Sequence, residues 1–147
     1  MPGGPTILDM IANAALFYGL MQALMTAETP PEQQLDFSVA RDNFYTAAQH
    51  GLGAHVTWLD GARCTLQHLL QEQLLPLARH GLEQLEIDVE DIDRYLGVIE
   101  ARVRSGQTGA VWQRAYVARH GSDLSVMTQA YRHNQDSKLP VHEWGLS

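Results

Sequence analysis

Between Ile7 and Met25 the chain reads ILDMIANAALFYGLMQALM, and Asp9 is its only formal charge. A surface helix carries one apolar stripe and one polar face, whereas a helix apolar all round belongs in the middle of a structure. At about 100° per residue, Asn13 and Gln22 fall on opposite sides, so no solvated face forms. Thr6 and Asp9 have the spacing of a capping box that starts the helix. Such a segment needs neighbours on most sides. It predicts that the polypeptide is one piece of something larger, or a homo-oligomer formed through this first helix.

Length and composition bound the rest. A chain of 147 residues is about one domain. A domain of this size buries roughly 68–70% of its unfolded surface, so its fold requires neither metal nor disulfide. Cys64 is the only cysteine and cannot make an internal bridge, which points to the cytoplasm. The first helix lacks the basic n-region of a signal peptide. A membrane span needs about 20 predominantly apolar residues, and Asp9, Asn13 and Gln22 interrupt the run, so no membrane role is expected. The net charge of −7 argues against nucleic acid, whose backbone requires a basic footprint. The basic residues are nine arginines and Lys138, an imbalance that codon bias explains as well as carboxylate binding does.

Most of the chain reads as helices punctuated by glycine, an all-α bundle of about five to six helices with one short β-hairpin. Pro30-Pro31 breaks the chain after the first helix. A second helix is expected over 38–50, with Gly51 as its left-handed terminator. His55 to Thr65 contains Asp60-Gly61 between two β-prone runs, a hairpin signal in which both turn residues take positive φ. A leucine-rich helix over 66–80 follows, and Pro76 inside it should kink or split it. The acidic run Glu86 to Asp93 leads to a helix ending near Arg104, where Arg102 and Arg104 suit the negative end of the macrodipole. Helices over 109–120 and 123–133 complete the set, capped by Thr108 and Ser122. Residues 136–147 read as an irregular tail in which Val141 and Trp144 are apolar enough to dock. The whole chain, 1–147, is expected to be one helical domain.

Few residues carry chemistry by spacing alone. His50, His80 and His120 each precede a glycine, the pattern of a helix end rather than of a metal site. In Glu86-Ile-Asp88-Val-Glu90 a strand would align three carboxylates as a magnesium site could use. The helical pattern Ile92, Leu96, Ile99, Val103 continues from it, however, which favours Asp88 as a cap with Asp91 completing a capping box. Cys64 has His68 four residues on, within reach on a helix, but it falls at a strand end and no third group orients the pair as a nucleophile requires. No metal site and no self-contained active site is expected.

Two segments hold polar residues that helix packing alone does not require. One is Arg41 to Leu52, where Arg41 and Tyr45 share a helix face and Asn43 lies near the small Ala47. The other is Thr108-Gly-Ala-Val-Trp-Gln113-Arg114, a capped helix start. A polar network between helices is the structural alternative for both.

Together these segments resemble the carboxyl-terminal part of the type 2 glutamate–cysteine ligase family, the carboxylate–amine ligases. That family shows an Asn, basic or aromatic residues, Ala, often Arg, then Gly-Leu or Gly-Asp. Here the pattern is Asn43, Phe44-Tyr45, Ala47, Gln49 and Gly51-Leu52. A hairpin over 58–63, a proline-bearing leucine-rich helix and Thr108 to Arg114 follow in the family's order. Gln49 stands where a basic residue is common, and Tyr45 where tryptophan is common.

The resemblance implies an ATP-dependent ligase in which the γ-carboxylate of glutamate is activated as an acyl phosphate and attacked by an amine. It implies that ATP and Mg are held chiefly by a glutamine-synthetase-like sheet upstream of this region. This chain is then expected to be a C-terminal fragment without activity or cofactor of its own, its partner the missing N-terminal catalytic sheet. Gln113 and Arg114 are the candidate catalytic residues; Arg41, Asn43 and Tyr45 are the candidate substrate-binding residues. The competing expectation is a stand-alone helical module that dimerises without catalysis.

Overall fold

The computed structural model describes residues 4–146. Its fold is all-α with one short hairpin, as the sequence predicts. Helix α1 (Ile7–Met25) opens on the expected capping box: Thr6 Oγ1 accepts from Asp9 N–H, and the Asp9 carboxylate accepts from Thr6 N–H. A four-residue helix α2 (Pro31–Gln34) uses Pro31 in its first turn, and α3 (Phe37–His50) ends at Gly51 with φ +57°. Strands β1 (His55–Thr57) and β2 (Arg63–Thr65) pair antiparallel, with Val56 opposite Cys64.

The leucine-rich segment is split where Pro76 removes a donor. Helix α4 (Leu66–Leu69) passes through a π turn (Leu70–Leu74) into α5 (Leu75–Gln84), and Leu75 N–H reaches back to Leu70 O. Three longer helices follow: α6 (Val89–Ser105), α7 (Gly109–His120) and α8 (Leu124–Asp136). A 3₁₀ turn (Val141–Glu143) lies in the tail.

The fold centres on α1 crossing α5 and α6. Ala12 of α1, Ala78 and Leu82 of α5, and Ile92, Leu96, Ile99 and Val103 of α6 share one core. Gly19 and Gly81 make the crossing close: a Cβ added at Gly81 would sit 1.9 Å from Gly19 O, and one at Gly19 would sit 2.3 Å from Ala78 O. A second cluster, Ala54, Val56, Leu69 and Leu74, lies under the hairpin. A third joins Trp112 and Tyr116 of α7 to Val141 and Trp144 of the tail.

Several local expectations are corrected. Helix α1 is covered on one side only; its buried residues are Asp9, Ala12, Gly19 and Ala23. Small residues face inward there because backbone proximity, not side-chain bulk, forms this contact. In the hairpin only Gly61 takes positive φ, +75°. Gly61 N–H bonds Trp58 O and Trp58 N–H bonds Ala62 O, a three-residue loop with left-handed glycine in place of the two-residue turn. His80-Gly81 does not end a helix, since α5 continues to Gln84. Asp88 occupies the N-cap of α6 but its side chain caps nothing, so the box with Asp91 is not made. Asp123, not Ser122, caps α8, accepting from Ser125 and Val126 N–H.

Candidate functional site

Asp9 is fully buried, and its carboxylate is met by four donors. Oδ2 accepts from Thr6 N at 3.2 Å, Thr6 Oγ1 at 2.9 Å and Val141 N at 3.1 Å. Oδ1 accepts from Arg102 Nη2 at 2.7 Å. Burying a carboxylate is costly unless it is paired and its lone pairs are used, and here both conditions hold. Arg102 Nη1 donates to Asn13 Oδ1 at 2.7 Å, so one guanidinium holds two turns of α1 to the end of α6. Its Nε is buried and meets no hydrogen-bond partner among the described residues. Arg102 thus neutralises a specific buried charge, where the sequence reading gave it only the helix dipole.

A cleft of about 500 Å³ opens beside this pair, and Asn13, Arg102, Thr108, Gly109, Gln113 and Tyr131 contribute to its walls. No aspartate or glutamate among the described residues lines it, although the chain is acidic overall. Helix α7 begins at its edge, where Thr108 Oγ1 accepts from Val111 N–H and leaves the dipole's positive end toward the opening. Burial, and after it the nearby Asp9 carboxylate, push the Tyr131 phenol above its ordinary value. The tail closes one side: Val141 lines the cleft, and Gln107 Nε2 donates to both Val141 O and Trp144 O.

The residues singled out in the sequence are placed unequally. Gln113 lies in the cleft, exposed. Arg114, next to it on α7, is exposed and has no ion-pair partner among the described residues. Arg41 is exposed and pairs with its neighbour Asp42 at 3.2 Å. Tyr45 is exposed on α3, its ring edge-on to Phe44. Asn43 is half-buried, and both ends of its amide grip the Thr57 backbone: Nδ2 donates to Thr57 O at 2.7 Å, and Oδ1 accepts from Thr57 N at 3.0 Å. That pair of bonds fastens α3 to β1. Of the five candidates only Gln113 lines this cleft; Arg114, Arg41, Asn43 and Tyr45 do not.

Asp9, Arg102 and Tyr131 are the site residues that sequence reasoning missed. Asp9 showed as a lone charge in an apolar run, and a buried charge requires a partner. Nothing in local spacing identified that partner.

Residues 1–132 match the family model for glutamate-cysteine ligase family 2. The chain belongs to that family. No curated protein and no solved structure matches it. The match to glutamate-cysteine ligase family 2 spans both the Asn43 segment on α3 and the Thr108 to Arg114 segment that opens α7. It stops short of the tail that completes the Asp9 shell.

Proposed function

We propose that this chain is the C-terminal helical part of an ATP-dependent carboxylate–amine ligase acting in the cytoplasm. The carrying observation is the family match over residues 1–132. In this reading a glutamate γ-carboxylate is activated as an acyl phosphate, and an amine displaces the phosphate to form the amide. Preorganised donors around developing negative charge supply much of the catalysis in such reactions. The Gln113 cleft, rich in donors and free of carboxylates, suits an acidic substrate. Gln113 contacts that substrate, and Arg114, the next residue of α7 but outside the cleft lining, is assigned with it as a catalytic residue at the edge of the site.

Arg41 and Tyr45, exposed on α3, are assigned to substrate binding, and Asn43 supports them by holding α3 on the hairpin. Among the described residues no group of three or more His, Cys, Asp or Glu side chains could hold a metal ion. The reading assigns nucleotide and Mg²⁺ to a glutamine-synthetase-like sheet in the rest of the enzyme, as the family resemblance implies.

Phosphate release from ATP with Mg²⁺, glutamate and cysteine tests this reading. The chain alone should stay at the blank rate, and adding a polypeptide that carries the sheet should bring turnover. Turnover by the chain alone would overturn the fragment assignment. Absence of turnover from the combination, across a panel of acids and amines, would overturn the ligase. That second result would favour a stand-alone helical module, the reading to which the uncovered side of α1 lends support.

A further inference from the structure

Among the described residues lining the Gln113 cleft, Arg102 is the one cation. Its terminal nitrogens are engaged by Asp9 and Asn13, and its Nε is buried. An acid in the cleft must therefore be met by other groups. Two side chains on the walls, Gln113 and Tyr131, make no hydrogen bond to any described residue. Gln113 is exposed on α7. Tyr131 differs because its ring is fixed. It stands edge-on to Trp112, with centroids 5.8 Å apart, and to Trp144, at 5.0 Å. Its hydroxyl emerges over the start of α7: a Cβ added at Gly109, which lines the cleft, would lie 3.9 Å from it. We propose that Tyr131 is a substrate-contacting residue, its hydroxyl donating to a carboxylate of the acid bound in this cleft.

Packing alone asks only for the ring. The polar end of an aromatic side chain at the edge of a core ordinarily finds a partner, and the neighbouring tryptophans do. Trp112 Nε1 donates to Gly145 O and Trp144 Nε1 to Leu139 O, each at 2.8 Å. Tyr131 keeps its hydroxyl for the cleft instead. A hydrogen bond to a charged acceptor lies at the strong end of the protein range. Because two tryptophans already immobilise the ring, little side-chain freedom is lost when the acid arrives. The nature of the ligand rests on the ligase reading; the position of the hydroxyl does not.

Tyr131→Phe removes the hydroxyl and keeps the ring, so it tests the contact without opening the aromatic cluster. In NMR titrations of the full chain with millimolar L-glutamate, the backbone amides of Gly109, Ala110 and Gln113 should shift. Tyr131→Phe should weaken that binding about tenfold, with the near-UV dichroism of the tryptophans unchanged. Tyr18→Phe, on α1 outside the cleft, should bind as the parent chain does. In turnover with the sheet polypeptide, Tyr131→Phe should raise KM for glutamate by the same factor and leave kcat and the KM for ATP unchanged, the pattern of a lost binding contact. Glutamate that leaves the cleft amides unmoved, or that binds Tyr131→Phe as tightly as the parent, would overturn the proposal. So would weaker binding accompanied by lost tryptophan dichroism, which makes the hydroxyl structural. The two readings fail separately. Turnover in which Tyr131→Phe keeps the parent KM removes the contact and keeps the ligase. Glutamate binding that depends on the hydroxyl, in a combination that never turns over, keeps the contact and removes the ligase.

Discussion

Asp9 shows how one side chain ties distant parts of a chain together. It caps its own helix through Thr6, pairs with Arg102 across 93 residues of sequence, and accepts from the tail at Val141. Removing one partner of a buried pair strands the other charge, at a cost of about 3–5 kcal/mol, whereas replacing both by apolar groups can be nearly neutral. Urea unfolding of Arg102→Met should therefore show a loss of about 3–5 kcal/mol. Asp9→Leu should lose at least as much, since it also breaks the capping box. The double variant should lose much less than the two singles together; simple additivity would show that the charges are not coupled. The capping half of this arrangement was legible, because Thr6 and Asp9 are three residues apart. The ion pair was not, because a helix-terminal arginine has an equally good local explanation in the dipole. Gln113 was legible through motif order, yet only the fold shows it sharing a cleft with Arg102 and Tyr131.

At the scale of elements, the same tetrapeptide has two fates. Ala-Arg-His-Gly ends α7 at 118–121, where Gly121 takes φ +95°, but continues through α5 at 78–81. What differs is the neighbour. Gly81 lies against the α1 backbone, and the helix keeps it for closeness rather than for a turn. Sequence spacing cannot distinguish these roles, since both require only the absence of a Cβ. The π turn has a similar history: Pro76 announced a break, but the form of the break follows from keeping Leu74 and Leu75 in adjoining cores. Gly97 gives a contrast inside α6, since nothing lies within 4 Å of an added Cβ there. Gly97→Ala should thus stabilise the protein by about 0.5–1 kcal/mol through helix propensity and unfolded-state entropy. Gly81→Ala must push α1 away from α5 and should destabilise by about 3 kcal/mol, the upper end of overpacking costs. Thermal unfolding followed at 222 nm separates the two. Equal shifts in Tm, or shifts of the same sign, would mean that the close helix crossing does not control stability.

On the scale of the whole molecule, three hydrophobic clusters are joined in unequal ways. The central one is sealed by long helices, and the one beneath the hairpin by α4 and the π turn. The third exists because the tail returns: Trp144 packs edge-on against Trp112 and Tyr131, and Val141 is fully buried. The tail was expected to be irregular, and its backbone largely is, but its side chains complete a core that α7 and α8 cannot close alone. Even with that cover α8 buries none of its own residues fully; Met127, Ala130 and Tyr131 are partly buried against the cluster. The tail also meets the site, since Val141 supplies a donor to Asp9 and a wall to the cleft. A chain ending at Asp136 should consequently lose more than local packing. Deleting a buried tryptophan alone typically costs about 3–5 kcal/mol, and here Trp112 also loses the Gly145 carbonyl that accepts its Nε1–H at 2.8 Å. The shortened chain should keep its far-UV spectrum, since α1, α5 and α6 are untouched. It should lose near-UV signal from Trp112, and its fluorescence should shift to the red as water reaches that ring. Unchanged near-UV dichroism in the shortened chain would show that α7 and α8 hold Trp112 without help, and that the Asp9 shell and the aromatic cluster are separate structures.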